Sequence, residues 1–375
     1  WRFFKGDIHG AESVDFDDRS WTIVSTPHTV ELMPAEASGC RNYQGPAWYR
    51  KHFVLPAETK GKRVLIHFEA AMGKQVLYLN GKRIQEHVGG YLPFTLDLTT
   101  NGIQAGDSCL LAIFVDNSND KSFPPGKPQY TLDFAYHGGI YRDVWMIAKS
   151  PVSITDPLDS QTVAGGGVFV HFDKISEKSA QVYVNTELQN DNQHTETVTV
   201  ETTLTDADGK VIKRTSGKLS LKSGEKKIIR QQIEVKSPKL WSPDAPYLYK
   251  VQSRIKKGNQ SIDGGITRIG IRLAEFRGKD GFWLNGKPFV QLVGVNRHQD
   301  FAYVGNALPN SQQWRDAKRL RDAGCTIIRV AHYPQDPSFM DACDELGMFV
   351  IVATPGWQYW NKDVKFGELV HQNTR

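Results

Sequence analysis

Two histidines, His298 and His332, each stand just beyond a short apolar run that ends abruptly in polar and ionisable residues. The first run, Val293-Gly294-Val295, continues as Asn296-Arg297-His298-Gln299-Asp300, and the second, Ile327-Ile328-Arg329-Val330-Ala331, continues as His332-Tyr333-Pro334. An imidazole can hydrogen-bond hydroxyls, and a carboxylate such as Asp300 can accept two such bonds from a vicinal diol. A lone histidine reads most simply as a satisfied buried side chain. Two at matching strand ends favour one shared ligand. Metal ligation by His298 and His332 finds no third ligand at a recognisable spacing, so no metal site is expected.

Two other stretches hold candidate groups. Thr354-Pro355-Gly356-Trp357, followed by Tyr359-Trp360, puts aromatic side chains at the end of a third apolar run. Trp357 there suits loop packing or stacking on a sugar ring. In Leu132-Asp133-Phe134-Ala135-Tyr136-His137-Gly138-Gly139, Asp133 and His137 precede a glycine pair that permits a tight turn. Taken alone, that stretch reads as a surface loop.

The elements that must position these residues alternate between strand and helix. Residues 289–295 read as one buried strand. Ser311 offers an N-cap, Trp314, Ala317 and Leu320 recur at helical spacing, and Gly324 ends the helix. Residues 326–330 form a second strand. Asp336-Pro337 is a cap followed by proline at the first helical position, Phe339, Cys343 and Leu346 form the buried stripe, and Gly347 stops it. Residues 348–353 make a third strand and 363–375 the start of a third helix. Such alternation implies a parallel sheet with right-handed crossovers. In a β/α barrel, polar groups just past the strands share the C-terminal face, where such folds build their sites.

The preceding sequence is β-structure of two textures. In residues 1–149, runs such as Trp48-Tyr49-Arg50-Lys51-His52-Phe53, Arg63-Val64-Leu65-Ile66-His67-Phe68 and Cys109-Leu110-Leu111-Ala112-Ile113-Phe114-Val115 have strand length and composition. Asn80-Gly81 between two such runs is a type I′ hairpin signal. Frequent turns and little helical periodicity predict a jelly-roll sandwich. After Gly165-Gly166-Gly167, strict alternation sets in, as in Gln181-Val182-Tyr183-Val184-Asn185 and Val198-Thr199-Val200-Glu201-Thr202. Residues 150–270 therefore read as an immunoglobulin-like sandwich without a disulfide, acting as a spacer. Residues 271–375 hold the first three βα units of an incomplete barrel.

Composition narrows the partners. With 46 basic and 41 acidic residues and no long basic run, nucleic-acid binding is not expected. No apolar stretch is long enough to span a bilayer. The four cysteines are far apart and show no metal-ligand spacing, which leaves the redox compartment open.

Taken in order, several motifs resemble the N-terminal portion of glycoside hydrolase family 2, the group of β-galactosidases, β-glucuronidases and β-mannosidases. They are Gly45-Pro46-Ala47-Trp48-Tyr49-Arg50-Lys51, His87-Val88-Gly89-Gly90-Tyr91-Leu92-Pro93-Phe94, Gly138-Gly139-Ile140-Tyr141-Arg142-Asp143-Val144, Leu240-Trp241-Ser242-Pro243-Asp244-Ala245-Pro246-Tyr247, Gly294-Val295-Asn296-Arg297-His298 and His332-Tyr333-Pro334. The resemblance covers the whole chain and implies a sugar-binding jelly roll, an immunoglobulin-like domain and a catalytic (β/α)8 barrel. It implies that Asp133 reaches the glycone and that His298 and His332 contact sugar hydroxyls or stabilise the transition state; Asp300 and Trp357 are further substrate-binding candidates. One departure is Gln299, where the family commonly has Glu.

The family's two catalytic glutamates lie at the ends of the fourth and seventh barrel strands, and the chain stops at Arg375 before either. No catalytic residue is therefore expected within it, and the 375 residues alone are expected to be inactive. The resemblance implies a retaining exo-glycosidase without cofactor, β-galactosidase-like, with a β-glucuronidase or a non-catalytic carbohydrate-binding protein as alternatives. The expected partner is a β-glycoside. A homo-oligomer is left open, and a periplasmic or secreted location is favoured over the cytoplasm.

Overall fold

The computed structural model describes residues 1–34, 42–132, 134–160, 162–163, 165–289, 292–356 and 359–374. The first layer pair contains β1 (Arg2–Lys5), β2 (Thr22–Ile23), β3 (Pro46–Val54), β4 (Arg63–Phe68), β5 (Gly73–Leu79), β6 (Lys82–Gly89), β7 (Phe94–Asp97), β8 (Ser108–Asp116) and β9 (Val144–Lys149). They form antiparallel sheets in the orders β2-β1-β3-β8-β5-β6 and β7-β4-β9. Alternate residues point inward. Tyr49, Leu111 and Ile113 from one sheet thus meet Val64, Ile66, Phe68 and Phe94 from the other in a single core. Asn80 and Gly81 adopt φ of 50° and 81° between β5 and β6, the conformation a type I′ turn requires. Arg50, fully buried on β3, donates to Asp18 at 2.8 Å and to the carbonyls of Ala11, Ser13 and Phe16, which fastens the long connection ahead of β2.

His87 on β6 makes a pH-dependent contribution to this sandwich. Its ring stacks on Phe94 at 4.4 Å, and burial pushes its pKa down from 6.5 to about 4. The unfolded chain binds the extra proton between those two values, so stability falls as pH drops through that window. The loss from this ring at pH 5 is roughly 2 kcal/mol, at about 1.4 kcal/mol per pKa unit. In His87→Phe, the fall in urea midpoint between pH 7 and pH 5 should shrink accordingly. An undiminished fall would show that the ring titrates normally in the folded protein.

The second sandwich begins with β10 (Val152–Ile154) and the short α1 (Pro157–Ser160). It continues through β11 (Val168–Asp173), β12 (Ser179–Asn190), β13 (Glu196–Thr205), β14 (Val211–Leu221), β15 (Lys226–Lys236), β16 (Tyr249–Lys257) and β17 (Gln260–Ile269). One edge of β12 pairs with β10 and β11 and the other with β15, while the opposing sheet runs β14-β13-β16-β17. Val182, Val184, Leu204, Ile233 and Val251 close the space between them.

A small antiparallel sheet of β18 (Ala274–Phe276), β19 (Phe282–Leu284) and β20 (Lys287–Pro288) leads into the alternating part. There β21 (Gly294–Arg297), α2 (Asn310–Asp322), β22 (Ile327–Val330), α3 (Pro337–Leu346), β23 (Phe349–Val352) and α4 (Val364–Thr374) follow in turn. The three strands are parallel, with Arg297 opposite Val330 and Val330 opposite Val352. Ile328, Val330, Ala317, Phe339 and Cys343 form the strand–helix core.

Two local expectations change. The first strand begins at Gly294 rather than at 289, and Val293 and Val295 are 45% and 47% exposed. Val295 shares a face with Arg297, two residues on, and its exposure comes from its place on the edge strand of the three-stranded sheet. The first helix starts at Asn310 after Pro309, without a side-chain cap, so Ser311 lies inside it. Asp336 does cap α3, accepting from the Ser338 amide at 2.9 Å. Gly347 ends that helix at φ 76°, and a Cβ there would meet the Pro243 carbonyl at 2.3 Å. Glycine is thus needed both to stop the helix and to seat the second sandwich against it. No helix among the described residues is long and apolar enough to cross a membrane.

Candidate functional site

His298 directly follows β21, and His332 follows β22 after Ala331. Their rings lie 5.4 Å apart at 78°, so the parallel register brings together two imidazoles separated by 34 residues of sequence. Phe134, from the first sandwich, lies against them. It stacks on His298 at 5.0 Å and lies 5.8 Å from His332. Tyr333 turns inward and stacks on Tyr91 at 3.9 Å and 6°. Burial pushes both phenols well above their ordinary pKa, so they serve as neutral walls. Leu132, Phe134, Tyr136 and Tyr141 of the first domain and Ala307 and Tyr333 of the third share one apolar cluster. The jelly roll thus forms part of the site.

Asp300 faces His137 at 3.9 Å, an electrostatic contact longer than a hydrogen bond. Burial alone would raise the carboxyl's pKa, but His137, with a smaller contribution from His298, outweighs it and holds Asp300 below the usual carboxylate range. An ionised, largely buried carboxylate of this kind is an acceptor. A general acid would need the opposite shift.

Arg297, which the sequence places beside the histidines, points the other way. Adjacent residues of a strand project to opposite faces. Arg297 donates to Gln335 at 2.5 Å and to Gln313 and Asp316 at 2.8 Å, with its guanidinium 4.0 Å over the Phe339 ring. It braces the layer between strands and helices. Gln299 is fully buried, and its Oε1 accepts from Arg142 Nη2 at 3.2 Å. The same Nη2 donates to the Pro334 carbonyl at 2.7 Å, and Nη1 donates to the Tyr91 carbonyl at 3.3 Å. One jelly-roll guanidinium therefore holds the ends of both histidine-bearing strands.

Of the residues singled out in sequence, His298, Asp300 and His332 come together, while Asp133 and Trp357 lie outside the described residues. Phe134, Tyr91 and Arg142 received no role from sequence, and His137 reads there only as part of a loop beside Asp133. The Gly138-Gly139 pair was the available signal. A Cβ on Gly139, at φ 121°, would stand 2.5 Å from the His28 carbonyl, so the chain turns tightly there to present its flanking residues. Among the described residues, no group of three or more His, Cys, Asp or Glu could hold a metal ion.

Models of three successive family domains match the chain. The glycosyl hydrolases family 2 sugar binding domain matches residues 11–151, the central family 2 domain 166–272 and the family 2 TIM barrel domain 276–371. The chain belongs to glycosyl hydrolases family 2. It is similar to a β-galactosidase of Thermoanaerobacter pseudethanolicus, 35% identical over 96% of this chain and 46% of that protein. It is also similar to a β-glucuronidase of Formosa agariphila, 33% identical over 94% of this chain and 37% of that one. Among solved structures, a covalently inhibited β-glucuronidase 2 of Bacteroides uniformis superposes with a TM-score of 0.87 at 30% identity, over 100% of this chain and 43% of that one. The chain thus spans less than half the length of these relatives. The family places its sugar-binding domain where Phe134, Tyr91 and Arg142 occur and its barrel where His298, Asp300 and His332 occur.

Proposed function

We propose that the chain supplies the glycone-holding half of a retaining exo-glycosidase, β-galactosidase-like, that hydrolyses terminal β-glycosidic bonds. The observation that carries this reading is the paired His298 and His332 imidazoles against the Phe134 wall, beside the ionised Asp300. Imidazole and carboxylate offer hydrogen bonds to sugar hydroxyls, and the aromatic wall suits the apolar face of a pyranose. A retaining mechanism also needs an acid/base and a nucleophilic carboxylate about 5–5.5 Å apart. The reading assigns those roles to glutamates on the fourth and seventh barrel strands, beyond Arg375, and makes Asp300 a ligand for substrate. Asp133 and Trp357 are assigned to the same glycone pocket. The reading divides the chain at 149/150 and 270/271, and the 375 residues alone are not expected to turn over substrate.

A β-glucuronidase of the same family is the second reading, supported by the similarity to the Bacteroides uniformis enzyme over the whole chain. The test is a panel of nitrophenyl β-galactoside, β-glucuronide and β-mannoside with protein containing the complete barrel. Fastest release from the galactoside is expected, and fastest release from the glucuronide would transfer the assignment to the second reading. No release from any of them, together with calorimetric sugar binding by residues 1–150 alone, would instead make the protein a carbohydrate binder.

A further inference from the structure

The outer face of the β14-β13-β16-β17 sheet carries a one-sided charge distribution for which the catalytic reading has no use. Lys218 and Lys256 flank Thr199 on either side, and Ser216 and Arg254 flank Glu201. Arg214 stands opposite Thr203, and Lys250 opposite Thr205. Because side chains alternate along strands, these residues share one face, while Val198, Val200, Leu204, Val251 and Ile255 take the other and are buried. The face thus presents Arg214, Lys218, Lys250, Arg254 and Lys256 against one carboxylate of its own strands, Glu201. To it β17 adds the exposed Ile266, and Arg268, which Asp341 and Glu345 engage.

Glu201 serves two of the five cations. It accepts from Lys256 at 3.1 Å and lies 3.9 Å from Arg214. Among the described residues, Lys218, Lys250 and Arg254 have no carboxylate within 4.0 Å, and all three are exposed. Like charges on neighbouring strands oppose sheet formation, so this arrangement costs the fold stability unless something anionic screens it. Between the cations lie hydroxyl and amide groups, Thr199, Ser216 and Gln252, able to bond a hydroxyl-rich chain. The four strands carry no aromatic side chain on this face, which removes the stacking platform that single-stranded nucleic acid uses.

We propose that this face of the second sandwich binds a linear anionic polysaccharide, carboxylated or sulfated, as a docking surface separate from the glycone pocket. The surface goes beyond the spacer role that the sequence implies for this domain, and binding there does not depend on the glycosidase reading. The test is affinity electrophoresis of the whole chain through gels containing polygalacturonate, a sulfated galactan, a neutral galactan or single-stranded DNA, at low and high salt. Retardation by an anionic glycan that fades with salt is expected, with no retardation by the neutral galactan. Polygalacturonate acting alone would identify a carboxylate ligand and sulfated galactan acting alone a sulfate ester. The triple change K218E/R254E/K256E should abolish the retardation, and K218Q/R254Q/K256Q should weaken it at least tenfold, with the circular dichroism of the folded sheets retained in both. Four results would overturn the proposal: no retardation by either anionic glycan, retardation that survives both variants, equal retardation by neutral galactan, or equal or stronger retardation by DNA.

Discussion

Replacing Arg142 with methionine is expected to destabilise the chain by about 3–5 kcal/mol and to uncouple the first domain from the barrel units. Methionine keeps some of the buried volume but removes every donor. It leaves the Pro334 carbonyl, the Gln299 Oε1 and the Tyr91 carbonyl without their Arg142 hydrogen bonds. Two of those acceptors belong to the ends of the histidine-bearing strands and one to the jelly roll, so the loss falls on the joint between them. Tyr333 stacked on Tyr91 and Phe134 stacked on His298 remain across it. Scanning calorimetry should show a barrel transition moved to lower temperature and separated from that of the sandwiches. Because a three-domain chain need not unfold in one step, the separation of transitions is the informative quantity. A single unshifted transition would mean that the guanidinium contributes little to the joint. Gln299→Glu should act in the opposite sense, because a carboxylate there would pair with Arg142 by a charge-assisted bond.

Changing His298 or His332 to alanine, in protein with the complete barrel, should lower kcat/KM for the preferred aryl β-glycoside by about 10²–10³-fold each. The rings lie 5.4 Å apart and both beside Phe134, so the proposed pocket sets each against the same glycone. Their effects should therefore be less than additive, and the double variant should lose less than the product of the two single losses. Steady-state kinetics of the two single variants and the double variant measure this directly. Unaltered kinetics in both single variants would remove the histidines from the site.

The architecture was legible because each part carries its own periodicity. The Asn80-Gly81 turn, the alternation of β12 and β13, the Asp336-Pro337 cap and the Gly347 stop all state local rules that the packing leaves intact. Where sequence misled, the cause was a longer-range effect. Residues 289–295 look buried because they are apolar, yet Val293 and Val295, on the same face as Arg297, stay half-exposed at the edge strand of the sheet. Arg297 looks like a partner of His298 because it is adjacent, but strand alternation sends it to the helix layer. Phe134, Tyr91 and Arg142 received no role from pattern, and His137 by itself reads only as part of a surface loop. Their roles come from the packing of one domain against another, more than 150 residues away in sequence. The paired strand ends were legible, and the wall facing them was not.

The most direct test of the central claim is a crystal structure of the protein with its complete barrel, trapped by a fluorinated or aziridine glycoside analogue that captures a retaining glycosidase as its covalent adduct. The predicted result is a glycone beside Phe134, with its hydroxyls at hydrogen-bond distance from His298 and His332. A glycone bound away from both histidines, or failure of every such analogue to label a protein that still binds sugar, would contradict it.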